Sequence, residues 1–197
     1  TKKNLRTEIA AVLAFSASEN NDKVGCLFFS DRVEKYIPPK KGRSHILAII
    51  HELVSFEPQH TGTSLSEPLR YITNMQKKRS TVFLLSDFMD MHDGKPAFEE
   101  ALKIASGKHD LVGIRVYDRR EAEMPDGGLV ELKDAETGRT VWVDTASERV
   151  REGYRENWRC RTTALDQGPN RRKVDNVMVD TGEDYVKSLM KLFKKRK

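Results

Sequence analysis

Three runs of strand length, at 24–29, 81–86 and 110–117, are apolar at nearly every position instead of alternating apolar with polar. A strand whose two sides are both apolar must be covered on both faces, the situation of a parallel sheet flanked by helices. Stretches with helical spacing separate these runs, so strand and helix alternate along the chain. That alternation predicts an α/β fold of Rossmann-like type, a mostly parallel sheet with helices on both faces and right-handed crossovers.

The remaining elements follow from periodicity and punctuation. Leu5, Ile9, Val12, Leu13 and Ser16, filled in by alanines, predict a largely buried opening helix that stops at Asn20-Asn21-Asp22. Val33, Lys35 and Ile37 predict a short antiparallel edge strand, closed by Pro38-Pro39, whose missing N–H groups exclude a central position. Ser44 is the expected cap of a helix reaching Phe56, with Ile46, Leu47, Ile50, Leu53 and Val54 on its apolar side. The next helix is expected to start within 61–66 and run to Lys78, presenting Leu65, Leu69, Ile72 and Met75. A polar loop at 89–95 precedes a helix carrying Phe98, Leu102 and Ile104. The runs 128–133 and 139–144, either side of Asp134-Ala135-Glu136-Thr137-Gly138, read as an inserted β-hairpin at about 128–144. Thr145-x-x-Glu148 reads as a capping box for a helix with Val150, Tyr154 and Trp158. After Gly168-Pro169 comes a last strand at 174–179, and Asp180-Thr181 is the expected cap of a final helix with Tyr185, Leu189 and Phe193. Residues 1–197 are expected to form one domain.

Composition narrows the function classes. A hydrophobic share of 38% and a charged share of 33% describe a globular chain with a well-charged surface. Nothing approaches the roughly 20 apolar residues of a membrane span. Cys26 and Cys160 are too few and too dispersed for a disulfide framework, so a reducing, cytoplasmic setting is expected. The net charge of +5 is modest, and much of it lies in the tracts 171–173 and 194–197. Neither tract has the interleaved aromatics of a single-strand binder, so both read as solvated ends and nucleic acid is not an expected partner.

The strand at 81–86 stops abruptly at Asp87, which places a carboxylate at the carboxyl edge of the sheet, where open α/β folds bind ligands. Upstream, Thr61-Gly62-Thr63-Ser64-Leu65 is a Gly-hinged hydroxyl turn opening a helix. A Thr63 hydroxyl and an Asp87 carboxylate are oxygen donors of the hardness Mg²⁺ prefers. Each also has an ordinary use, Thr63 as a helix cap and Asp87 as a turn cap. His60, Asp90, His92 and Asp93 are expected to be surface residues.

With Gly62-Thr63 and Ser86-Asp87 matching its second and third metal loops, the chain resembles a von Willebrand factor A domain. Asp22-Lys23-Val24-Gly25, Phe29-Ser30-Asp31, the stretch 36–42 and Tyr185-Val186 with Leu189 and Phe193 make it more similar to the bacterial domain-of-unknown-function family fifty-eight, an A-type (vWA) domain that often accompanies MoxR-type AAA+ ATPases. The resemblance implies a metal-ion-dependent adhesion site to which Thr63 and Asp87 contribute. It also implies a departure. The family's first metal loop, Asp-x-Ser-x-Ser after a central first strand, has no counterpart here, since Thr1-Lys2-Lys3-Asn4-Leu5 reads as the start of the following helix.

Absence of that strand would leave two strand separations, about 9.6 Å, between its neighbours. On the order of ten forfeited hydrogen bonds at roughly 1 kcal/mol each rivals the stability of a whole domain. The expectation is therefore that preceding residues supply the strand and loop in the natural protein, or that a swapped strand fills the space. Mg²⁺ is correspondingly expected in the intact protein and not on these residues alone.

The function implied is non-enzymatic protein binding, with a MoxR-type AAA+ ATPase as partner or neighbour in protein assembly or activation. Two other classes remain open. A metal-dependent α/β hydrolase or phosphatase would use Asp87 and its loops, although no G-x-S-x-G, P-loop, G-x-G-x-x-G or HExxH occurs. A basic nucleic-acid-binding module would depend on the two C-terminal tracts and on low salt.

Overall fold

A computed structural model describes residues 1–60, 62–92, 95–133, 139–167 and 174–196. Helix α1 (Lys2–Glu19) starts at Thr1, whose hydroxyl accepts the Asn4 N–H. Strands β1 (Val24–Phe29) and β2 (Val33–Lys40) pair antiparallel and are followed by α2 (Arg43–Ser55) and α3 (Ser66–Met75). Then come β3 (Thr81–Ser86), a minimal hairpin of β4 (Met91–His92) and β5 (Lys95–Pro96), α4 (Glu99–Lys108) and β6 (Asp110–Tyr117). The chain continues through α5 (Arg119–Ala122), β7 (Leu129–Lys133), β8 (Thr140–Asp144), α6 (Glu148–Gln167), β9 (Val174–Asp180) and α7 (Tyr185–Lys195).

The fold is mixed α/β around a three-stranded parallel sheet in the order β3-β6-β9. Strand β6 lies in the middle and is buried from Leu111 to Val116, as its uninterrupted apolar run requires. Its side chains alternate between two cores. On one face Leu111 joins Leu84 of β3 and Leu65, Leu69, Phe98 and Ala101, contributed by α3, α4 and their flanks. On the other, Val112, Ile114 and Val116 meet Leu5 and Ile9 of α1 and Leu189 and Leu192 of α7. Each such aliphatic side chain, fully withdrawn from water, contributes about 1.5–3 kcal/mol of transfer free energy. The Tyr185 hydroxyl donates to Glu8 Oε1 at 2.9 Å, fastening the last helix to the first.

The β1-β2 ribbon is a separate sheet. Helix α1 packs against both β1 and β3, and Phe29 of β1 packs into the core that contains Leu84 of β3. The two strands are thus neighbours under common cover without sharing a ladder, and among the described residues each has one edge with no partner strand. Strand β2 also runs further than its prolines suggest. Pro38 and Pro39 lie within it, on a ribbon whose register shifts between Val24 and Cys26.

Several local expectations give way. Gly42, at φ 107°, and not Ser44 precedes α2. Helix α3 ends at Met75, short of Lys78. Helices α1 and α2 are covered on one side only, so Val12, Leu47 and Val54 are exposed although they belong to the apolar pattern. The polar loop at 89–95 contains the β4-β5 hairpin.

The hairpin at 128–144 is present as β7 paired with β8, its turn at 134–138 lying outside the described residues. Thr145 at its base is almost fully buried; its hydroxyl accepts the Gly127 N–H at 2.9 Å and donates to Gly128 O at 2.8 Å, so it serves the hairpin. Asp184, not Asp180-Thr181, caps α7 by accepting the Val186 N–H. The terminal basic tract is not simply solvated. Arg196 pairs with both Asp110 and Asp175 at the amino ends of β6 and β9. The tract 171–173 lies outside the described residues.

Candidate functional site

At the carboxyl ends of β1 and β3 three loops are tied into one surface. Ser64 N–H donates to Ser30 O at 2.9 Å, joining the turn before α3 to the end of β1. Leu65 N–H donates to Asp90 Oδ2 at 2.7 Å, joining the same turn to the loop after β3. Gly62 fits against Asp31 so closely that an added Cβ would lie 3.0 Å from Asp31 Cβ. Glycine at this position lets the loops close. Glu34 accepts the Gln59 N–H at 2.8 Å and holds the approach to this turn, and bonds from Ser30 and Gln59 keep its carboxyl below the usual carboxylate range.

The turn after β3 is set by a strained residue. Phe88 has φ 59°, uncommon for a side chain with a Cβ, and is held there by burial, by an edge contact with Phe98 and by its N–H to Ser86 Oγ at 3.1 Å. Ser86 is itself buried, and its hydroxyl serves this turn. Asp87 is thereby placed beside the amino end of α1. Its Oδ1 accepts the Met89 N–H at 3.3 Å, and its Oδ2 lies 3.2 Å from Lys2 Nζ. The same ammonium is 2.5 Å from Glu121 Oε1 on α5. Burial works against the Lys2 charge, but the Glu121 hydrogen bond and the charges of Asp87 and Glu121 outweigh it and hold the ammonium above the ordinary lysine range.

Thr63 and Asp87 therefore stand on the same edge of the molecule, Thr63 in a loop bonded to the ends of β1 and β3, Asp87 at the end of β3 itself. As a metal centre the arrangement falls short. Among the described residues no group of three or more His, Cys, Asp or Glu side chains is placed to hold an ion. The cation in contact with Asp87 is Lys2. Asp90, expected at the surface, is instead the acceptor that fixes Leu65; Asp93 lies outside the described residues, as does Thr61. Lys2, Glu121 and Asp90 carry no motif. Lys2 and Asp87 are 85 residues apart, and only the packing of α1 over β3 brings them together.

The edge continues past β6 and β9 as an open hollow of about 620 Å³ lined by Asp118, Arg119, Arg120, Asp180 and Thr181 among others. Its polar groups are turned on one another. Asp118 accepts from Arg120 N at 3.0 Å and from Thr181 Oγ1 at 3.1 Å, and these bonds depress its carboxyl; Asp180 accepts from Gly182 N at 3.0 Å.

Residues 1–164 match the model of a protein family described as DUF58, protein of unknown function. The chain belongs to that DUF58 family. Uncharacterized proteins of Mycobacterium tuberculosis and Mycobacterium bovis are each 25% identical to it over 139 residues, which is 70% of this chain and 43% of theirs. The DUF58 chain thus spans under half the length of these relatives. Among solved structures it is similar to the conserved hypothetical protein BatB from Bacteroides thetaiotaomicron, with a TM-score of 0.57 and 18% identity over 96% of this chain and 87% of that one. It is also similar to an aerotolerance-related membrane protein from Bacteroides fragilis, at TM-score 0.54 and 15% identity over 96% and 88%. At these identities the likeness is one of fold. Among the described residues of this DUF58 chain no helix is long and apolar enough to cross a membrane.

Proposed function

We propose that this DUF58 chain is a non-enzymatic, protein-binding module of von Willebrand factor A type, recognising its partner with the carboxyl edge that carries Thr63 and Asp87. The observation that supports this most is the joining of three separate loops into one surface by the Ser64 N–H bonded to Ser30 O and the Leu65 N–H bonded to the Asp90 carboxylate. A preorganised surface of this kind suits recognition, because little ordering entropy is left to lose on binding. The edge is charged and half-buried, and the buried hydroxyls of Ser30 and Ser86 are committed to the Asp31 carboxylate and to a turn.

A MoxR-type AAA+ ATPase is the partner we propose, in assembly or activation of other proteins. Among the described residues β1 and β3 each have one edge without a partner strand, which supports a further strand lying between them and completing the A-type sheet. Thr63 and Asp87 would be two of the oxygen ligands if Mg²⁺ takes part there. Two unpaired cysteines, Cys26 and Cys160, favour the cytoplasm as the compartment.

The test is co-precipitation of the intact protein with a purified MoxR-type ATPase, comparing wild type with Asp87→Asn and buffer containing Mg²⁺ with buffer containing chelator. Retention by the wild type and at least tenfold weaker retention by Asp87→Asn is the expected result. Equal retention of both proteins would remove this edge from recognition.

A further inference from the structure

The contacts of Lys2 do not suit an edge waiting for a metal ion. Its ammonium lies between two carboxylates contributed by different parts of the chain, Asp87 after β3 and Glu121 on α5, at 3.2 and 2.5 Å. All three side chains are about one quarter exposed, so water screens them only in part. Glu121 Oε2 is buried and accepts no hydrogen bond among the described residues, which makes the Lys2 contact at Oε1 the group's main compensation. A divalent ion on Asp87 Oδ2 would come within a few ångströms of the Lys2 charge, and the two cations would repel.

We infer that Lys2 is the resident cation of this edge, a tethered ammonium doing the neutralising and loop-fastening work that a bound metal ion would otherwise do. One charge on the first turn of α1 is bonded at once to the end of β3 and to α5, three elements that share no backbone hydrogen bond at this point. The fastening is covalent on one side, so it needs no ion from solution and persists in chelator. For partner binding the claim rests on the reading above, and there it means that recognition proceeds without a divalent ion unless Lys2 is first displaced.

The deciding experiment needs no partner, and so fails or succeeds apart from the co-precipitation. Thermal unfolding and Mn²⁺ calorimetry are run on the intact protein, on its Lys2→Met variant and on its Lys2→Arg variant. The expected result is a wild-type melting temperature that ignores both Mn²⁺ and chelator, with no saturable Mn²⁺ heat. Lys2→Met should melt about 3 °C lower, and Mn²⁺ should restore part of that loss because Asp87 and Glu121 are left without a counter-charge. Lys2→Arg should behave as wild type. If Lys2→Met fails to fold, Lys2→Met with Glu121→Gln, which removes opposite charges together, should fold and still ignore Mn²⁺. Saturable Mn²⁺ binding by the wild type, or a Lys2→Met protein with wild-type melting and no response to Mn²⁺, would overturn the inference.

Discussion

The Leu65 backbone N–H donates to the Asp90 carboxylate at 2.7 Å, so the turn entering α3 and the loop leaving β3 are a single unit. Leu65 is fully buried, and without Asp90 its N–H would be left unsatisfied beside the core. Asp90→Ala is expected to destabilise the protein by about 1–3 kcal/mol. Asp90→Asn, which keeps an acceptor, should cost less than half as much. Denaturant titration of the two variants checks this, and equal costs would assign the effect to charge instead of to the bond.

Thr145 makes a corresponding pair of bonds at the base of the β7-β8 hairpin, to Gly127 N and Gly128 O. A two-stranded ribbon is marginal by itself. Replacing Thr145 by Val keeps the shape and leaves two main-chain groups without their partner, at roughly 1–3 kcal/mol for each buried one. Faster proteolytic nicking within 128–144, with the rest of the chain resistant, is the expected signature in limited digestion.

His109, between α4 and β6, gives stability an acid limb. Burial, reinforced by the Lys108 charge, lowers its pKa, so the folded protein keeps the ring neutral where the unfolded chain would protonate it. The stability this contributes is complete above the unfolded value of about 6.5 and is lost progressively as pH falls below it. His109→Gln should flatten that part of the stability profile. Unfolding midpoints measured from pH 8 downward test it, and an unchanged slope below 6.5 would place the acid sensitivity elsewhere.

Gly25 lies where β1 and β2 approach too closely for a side chain. A Cβ there would stand 2.8 Å from Ile37 O and 3.0 Å from Pro39 N, both main-chain atoms that cannot swing away. Gly25→Ala is therefore expected to cost at least about 1–3 kcal/mol. The loss should fall on the β1-β2 ribbon first, visible as faster amide exchange at 26–29 than in β6.

What could be read from the residues was whatever the two-sided burial of strands dictates. Strand β6 was legible because its run from Leu111 to Val116 has no exposed face to disguise it, and β3 because its run is apolar from Val82 to Leu85. Helix ends were less so. Ser44, Thr145 and Asp180 are all capping types, yet the caps fall at Gly42 and Asp184, and Thr145 spends its hydroxyl on a hairpin. A side chain able to bond several nearby main-chain groups does not reveal which one tertiary packing will offer it. The edge was legible in part. Thr63 and Asp87 announce themselves by following a Gly hinge and ending a strand, whereas Lys2 and Glu121 acquire meaning only when α1 is laid over β3 and α5. The separation of β1-β2 from the parallel sheet depends in the same way on neighbours distant along the chain.

The bond between Glu8 and Tyr185 spans 177 residues, and the core beneath it is shared by α1 and α7. During synthesis the opening helix must therefore wait for the closing one, about 9–35 s at translation speeds of roughly 5–20 residues per second. Throughout that interval Leu5 and Ile9 lack Leu189 and Leu192, and a greasy half-core faces water or a chaperone. Ribosome-bound chains halted before residue 185 should be captured by such holdases, and chains extended past Arg196 released from them.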